Sequence, residues 1–346
     1  GPRPMGFPKG RSGSSSLWSN TGLQTPCSIN LIAFRCQVVS RFPGKKRFAF
    51  AVFDDTDYGT VENTGLVYRF LLDLGMRTTK SVWPLSRVSD ARIGGSTLQD
   101  KDYLEFIRWL QREGFEIALH NVRNHDAPRR LVEQGFQEFQ ELLGMSPRIH
   151  CNHSMNRENI YWGSRRLETP VIRLAYNIAT RFARNGYFQG DVRHSPYFWG
   201  DICKERISYV RNLVFDEINL DRVNPTMPYH DPAKPFVNFW FSSSEGGTVE
   251  SFCKMLCEPN QDRLEAEGGV CVVYTHFGKG FCLGRHLHPE FERLMRRLAK
   301  MNGWFVPVAT LLDHLREGSK GSVISPPERR RMEMRWFLSK LRSGTS

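Results

Sequence analysis

No stretch of the 346 residues approaches the ~18 consecutive apolar residues of a membrane-spanning helix. No basic-then-apolar leader is visible: Ile29 to Phe34 is interrupted by Asn30 and ended by Arg35. The expectation is a soluble, cytoplasmic chain with no transmembrane segment. The eight cysteines include no Cys-x-x-Cys pair, which argues against a cysteine-based zinc module and for reduced, mostly buried thiols. Acids are missing from residues 1 to 46, which hold seven basic residues. Residues 328 to 346 add a net +4, so only +1 of the total charge of +12 belongs to the body between them. A basic face on the core is therefore not expected, and nucleic acid is an improbable partner.

Internal repeats and a second break in composition are also absent. The chain divides into a basic N-terminal extension (1–46), one large domain (47–317) and a basic C-terminal tail (318–346). Residues 1 to 22 are rich in Gly, Pro, Ser and Arg and show no periodicity, which reads as disorder.

The clearest feature present is Arg47-Phe-Ala-Phe-Ala-Val-Phe53, running into Asp54-Asp55-Thr56-Asp57. The apolar run reads as a strand buried on both faces. Acids at its end need a metal, a base or a donor network, unless one of them caps the next helix. Strand and helix patterns then alternate. Helices are expected over 64–74, 100–113, 126–143 and 289–301, and strands over 78–83, 115–119, 148–151 and 270–275. Such alternation predicts an α/β fold with parallel strands. Residues 186 to 245 are aromatic-rich and weakly periodic, and read as long functional loops. Residues 330 to 341 have the pattern of a basic amphipathic helix.

Parallel strands bring their carboxyl ends together. The first delivers Asp54, Asp55 and Asp57. A later one delivers His120, with His125 in the loop behind it, and a late one delivers His276. Carboxylates with imidazoles form a ligand set for one divalent metal ion: zinc, or alternatively iron, cobalt or nickel.

Phe53-Asp54-Asp55, then His120 and His125, then Tyr274-Thr275-His276 resemble the polysaccharide deacetylase superfamily, carbohydrate esterase family four, with the NodB-homology fold. Trp304-Phe-Val-Pro307 followed by Leu311-Leu312 resembles that family's closing strand and helix. The resemblance covers roughly 47 to 317. It implies a distorted (β/α) barrel of about seven parallel strands with long aromatic-rich loops. It further implies a metal-dependent hydrolase that removes an acyl group, typically N-acetyl, from an amino sugar in a polysaccharide or sugar conjugate.

Carried over by motif, Asp54 is the general base and His276 the general acid. Asp55, His120 and His125 hold the metal, with His153 as the alternative third ligand. The chain departs from the family pattern in three places. Thr56 replaces a glycine, the histidine spacing is one residue longer, and the Arg-Pro-Tyr loop is missing. The matching region reads His150-Cys-Asn152-His153-Ser-Met-Asn156-Arg157, then Tyr161-Trp162-Gly163. Asn152, Arg157, Tyr161, Trp199 and Asp201 are the candidate substrate contacts. Asp191 and His194 join Trp199 and Asp201 as candidates for orienting His276. Two alternatives stand beside this reading. One is hydrolysis of a formamide or small cyclic amide at the same site. The other is a non-catalytic saccharide-binding module, which has no use for a base, a ligand and an acid on three strands.

Overall fold

A computed structural model describes residues 41–183, 185–319 and 322–343. The calls made on 1–40, including the disordered stretch, lie outside the described residues.

β1 (Phe48–Asp54) is buried at every position. The next helix, α1 (Val61–Asp73), starts from a reciprocal cap between Thr60 and Asn63, so neither Asp54 nor Asp55 caps it. β2 (Thr79–Val82), α2 (Lys101–Arg112), β3 (Glu116–Leu119), α3 (Arg129–Leu143) and β4 (Ile149–His150) follow in strict alternation. Next come α4 (Pro170–Ala179), α5 (Gly200–Arg206), β5 (Tyr209–Phe215), β6 (Tyr229–His230) and β7 (Phe239–Ser244). After these lie α6 (Val249–Met255), α7 (Glu258–Glu267) and β8 (Val270–Thr275). A small hairpin, β9 (Cys282–Leu283) and β10 (His286–Leu287), precedes α8 (Pro289–Ala299) and β11 (Gly303–Phe305). The chain closes with α9 (Val308–Ser319), β12 (Ser322–Val323) and α10 (Pro326–Ser343).

Strands β1, β2, β3, β4, β5, β7 and β8 form a closed ring in which every pairing is parallel. Seven parallel strands wrapped in helices make a (β/α) barrel, as the motif resemblance implies; the alternation itself predicts the parallel strands. The barrel is distorted at two seams. β2 meets β1 only at Phe53↔Thr79 and Asp54↔Lys80, while β11 pairs with Phe48 to Phe50 of the same strand. β7 and β8 share the single register pair Ser244↔Val273.

The segment 186–245 is not simply loop. It contains β5 and β7, two of the seven barrel strands. Their pattern was obscured because polar residues are buried within them: Arg211 and Asn212 on β5, Ser242 to Ser244 on β7. The expected basic helix near the C-terminus exists as α10 and packs on the body. Met332 and Trp336 are buried, and the Glu333 carboxylate accepts from the backbone N–H groups of Glu168 and Thr169.

Candidate active site

Because the ring is parallel, the carboxyl ends of its strands deliver their side chains to one mouth. Side chains alternate along β1, so residues two apart share a face. Phe53 and Asp55 lie under the Arg211 guanidinium, which stands 5.0 Å from the Phe53 ring centre. Asp54 takes the other face. Its Oδ2 meets Lys80 Nζ at 2.9 Å and the Tyr68 hydroxyl at 2.8 Å, and its Oδ1 accepts from Phe277 N at 2.8 Å. Asp54 is fully buried and lies outside the cavity lining, so it is not placed to serve as a base toward substrate.

The cavity at the mouth encloses about 570 Å³ and is lined by Asp55, Asp57, His120, Asn152, Arg211 and His276, among others. Asp55 is held by both guanidinium nitrogens of Arg211, at 2.9 and 2.5 Å, and accepts from Cys151 Sγ at 3.3 Å. Burial is the largest influence and pushes the Asp55 carboxyl up, but the Arg211 charge and hydrogen bonds together with His120 and His276 reverse it and hold the pKa at about 2.

Asp57 is the convergence point of three imidazoles. Its Oδ1 lies 3.1 Å from His120 Nε2 and 3.6 Å from His153 Nε2, and its Oδ2 lies 3.5 Å from His276 Nε2. Burial raises the Asp57 pKa, and the three imidazoles more than reverse this, leaving it well below the usual range.

The second nitrogen of each histidine sets its role. His153 Nδ1 bonds Asn156 Oδ1 at 2.9 Å, so Nδ1 carries the proton and Nε2 presents a lone pair. That Nε2 is buried without a hydrogen-bond partner. His120 Nδ1 lies 3.0 Å from Cys151 Sγ. His120 Nε2 donates to Asp57 Oδ1 at 3.1 Å, and a metal bound between them would take the Nε2 lone pair in place of that proton, leaving Nδ1 to donate to sulfur. His276 Nδ1 donates to Gly247 O at 2.7 Å, which aims its Nε2 at Asp57 and Asp55. Burial lowers the His276 pKa, and Asp57 more than compensates, so it sits above the ordinary histidine value. Gly278 fixes the loop that carries His276. A Cβ there would stand 2.6 Å from the Tyr58 backbone, so the loop rests directly on the turn after β1.

Two groups of side chains could hold a metal: Asp55, His120 and Cys151, or Asp57, His120 and His153. The second fits better. Both Asp55 oxygens face a guanidinium, which would repel a cation. The second set presents a carboxylate and two imidazole Nε2 atoms, one of them otherwise unpartnered. Its Asp57–His120 and Asp57–His153 separations, 3.1 and 3.6 Å, bracket the roughly 3.4 Å between ligand atoms of a tetrahedral site with ~2.1 Å bonds.

Of the ligands read from the sequence, His120 belongs to both groups, Asp55 to the first, and His153, the alternative third ligand, to the second, where Asp57 takes the place expected of Asp55. His125 is exposed and lines a separate small cavity. The turn after β3 sends it outward, because Asn121 adopts a positive φ of 52° and Asn124 folds in to bind the 88–93 loop.

Of the candidate substrate contacts, only Asn152 lines the cavity. Arg157 pairs with Asp126 and stacks near Tyr187 and Tyr197. Tyr161 is buried against Phe236 and Trp240. Trp199 is core: its indole N–H donates to Glu158 O at 2.6 Å and its ring meets His150. Asp201 pairs with Arg129 at 2.7 and 2.9 Å. Asp191 is held by Arg165 and the Tyr161 N–H, and His194 is exposed; the group that orients His276 is the Gly247 carbonyl. Trp162, next to Tyr161, reaches the cavity, as does Tyr274. Arg211 was missed, although a lone charge within the apolar stretch Tyr209–Phe215 was a signal for it. Lys80 was missed for the same reason.

No family model matches the chain, and no curated protein matches it. Solved structures do resemble it. A protein described as a polysaccharide deacetylase from Mycobacterium smegmatis is 14% identical, with a TM-score of 0.48, over 82% of this chain and 95% of that one. Puue allantoinase is 12% identical, with a TM-score of 0.48, over 85% of this chain and 98% of that one. A protein described as a polysaccharide deacetylase from Pseudomonas aeruginosa PAO1 is 13% identical, with a TM-score of 0.48, over 80% and 94%.

Proposed function

We propose that this protein is a metal-dependent hydrolase that removes an acyl group, acetyl in the simplest case, from the nitrogen of an amino sugar. The observation that carries the reading is the buried, unpartnered Nε2 of His153, facing Asp57 and His120, which themselves line the cavity that also holds His276. The motif resemblance supplies the reaction class.

Asp57, His120 and His153 would hold the metal. When bound there, a divalent ion lowers the pKa of water and polarises the amide carbonyl. The chain's own groups handle the protons. Asp54 is sealed beneath the site by Lys80, Tyr68 and the Phe277 N–H. Asp55 faces the cavity, but a pKa of about 2 makes it a poor proton acceptor near neutrality. His276, with a raised pKa and Nε2 turned inward, is the better carrier: it takes the proton from water and gives it to the leaving amine. Asp55 and Arg211 then fix the charge around it. Trp162 and Tyr274 line the cavity and offer apolar faces to a sugar ring.

The test is acetate release from a panel of N-acetylated saccharides, with formate release followed in parallel. The wild type is assayed as purified, after chelation and after re-addition of metal, beside His153→Ala. Activity that survives both chelation and His153→Ala would sink the proposal.

A further inference from the structure

α4 leaves an apolar stripe in solvent: Val171 is 74% exposed, Leu174 55% and Ile178 60%, and Phe182 in the following turn is 52% exposed. The spacing places them on one side of the helix. α10 does the same with Met334, Leu338 and Leu341. Isolated exposed apolar residues are ordinary; two adjacent stripes are not. No acid occurs from 169 to 190 or from 334 to 346, stretches that carry Arg173, Arg181 and Arg335. Glu168, just before α4, pairs with Arg173 at 3.2 Å, and the remaining edge of the apolar face is basic, which complements an anionic lipid surface.

Between the two helices runs a groove of about 640 Å³, lined by Tyr176, Phe188, Phe337 and Arg166. It shares Ser154, Trp162 and Lys340 with the catalytic cavity, so the two are continuous. Arg166 is only 4% exposed and lies between the rings of Trp162, at 3.7 Å, and Trp336, at 5.0 Å. Among the described residues it makes no ion pair, and its Nε has no hydrogen-bond partner. A buried guanidinium without a carboxylate is costly and calls for an anion. The neighbouring Lys340, by contrast, has Glu245 at 3.2 Å.

We propose that the α4–α10 face docks on an anionic lipid bilayer and that the groove beside it receives a lipid-borne phosphate on Arg166. The saccharide would then be one carried on a phosphate-containing lipid, with its sugar in the catalytic cavity. This substrate class rests on the amide-hydrolase reading, whereas the docking surface does not.

The full chain is sedimented with vesicles of phosphatidylcholine alone and of phosphatidylcholine mixed with phosphatidylglycerol. Binding to the mixed vesicles is expected, weakened about tenfold or more by Ile178→Ser with Leu338→Ser, both exposed and harmless to folding. Inorganic phosphate should raise the thermal midpoint of the wild type and of Arg166→Lys but not of Arg166→Gln. Absence of binding to mixed vesicles would overturn the docking surface. So would a concentration-dependent dimer abolished by the same two serines, which makes the face a contact between copies. A phosphate shift that persists in Arg166→Gln would overturn the subsite. Vesicle binding by a protein that hydrolyses no acyl sugar would keep the docking surface and remove the active-site reading, so the two failures are distinguishable.

Discussion

The carboxylates of Asp54 and Asp55 are adjacent in sequence and belong to different networks. Asp54 faces Lys80, with Nζ 2.9 Å away, on the helix side of the barrel wall. Asp55 faces Arg211 at the mouth. Each is a buried ion pair, but only the second borders the cavity where chemistry is proposed. The two pairs split the strand end into a structural half and a working half, and Asp57 extends the working half to the imidazoles.

The purified protein should carry about one equivalent of a divalent transition metal. His153→Ala and Asp57→Asn should each lower metal affinity by more than ~10-fold, whereas His125→Ala should leave it unchanged. Elemental analysis after dialysis reads this directly. Loss of metal in the His125 variant with none in the His153 variant would restore the ligand set with His125 inferred from sequence.

Removing Arg211 should cost more than removing its partner. Arg211→Met leaves the buried Asp55 carboxylate unpaired and should destabilise the fold by about 3–5 kcal/mol. The Asp55 pKa should also rise, because burial would no longer be opposed by the guanidinium. Arg211→Met with Asp55→Leu should recover part of the loss. Urea unfolding of the single and double variants gives both numbers.

The Lys80–Asp54 pair should behave as a positioning device. Asp54 also receives the Phe277 N–H, one residue past His276. Asp54→Asn should therefore lower kcat more than KM is raised, and shift the acid limb of the rate profile that reports His276. An unchanged pH profile with reduced stability alone would leave Asp54 a purely structural acid.

Acid stability should depend on His150. The ring is fully buried beneath the site, its Nε2 on Asn152, and burial depresses its pKa from 6.5 to about 3. Between these values the unfolded chain binds a proton that the folded chain does not. The contribution is therefore complete above pH 6.5 and is lost as pH falls toward 3, by roughly 2 kcal/mol at pH 5. His150→Met should flatten the slope of stability against pH by about one proton. An unaltered slope would assign the proton uptake to another group.

The sequence by itself determined the parallel α/β arrangement, the strand ends as the candidate place of chemistry, and His120 and His276 as candidates for it. These are properties of local pattern: apolar runs, helical spacing, and polar residues at strand ends. Tertiary structure alone decided which acid and which second histidine meet. Asp54, Asp55 and Asp57 look equivalent in a linear reading. Alternation along β1 sends the first outward and the second inward, and Lys80 from the neighbouring β2 and Arg211 from β5 then take one each. His125 follows its strand as a ligand should, but the Asn121 turn exposes it, while His153 arrives from the loop after β4. β5 and β7 were hidden for a related reason. A barrel lumen that holds a polar site needs polar side chains inside its strands, and that erases the apolar run by which buried strands are recognised.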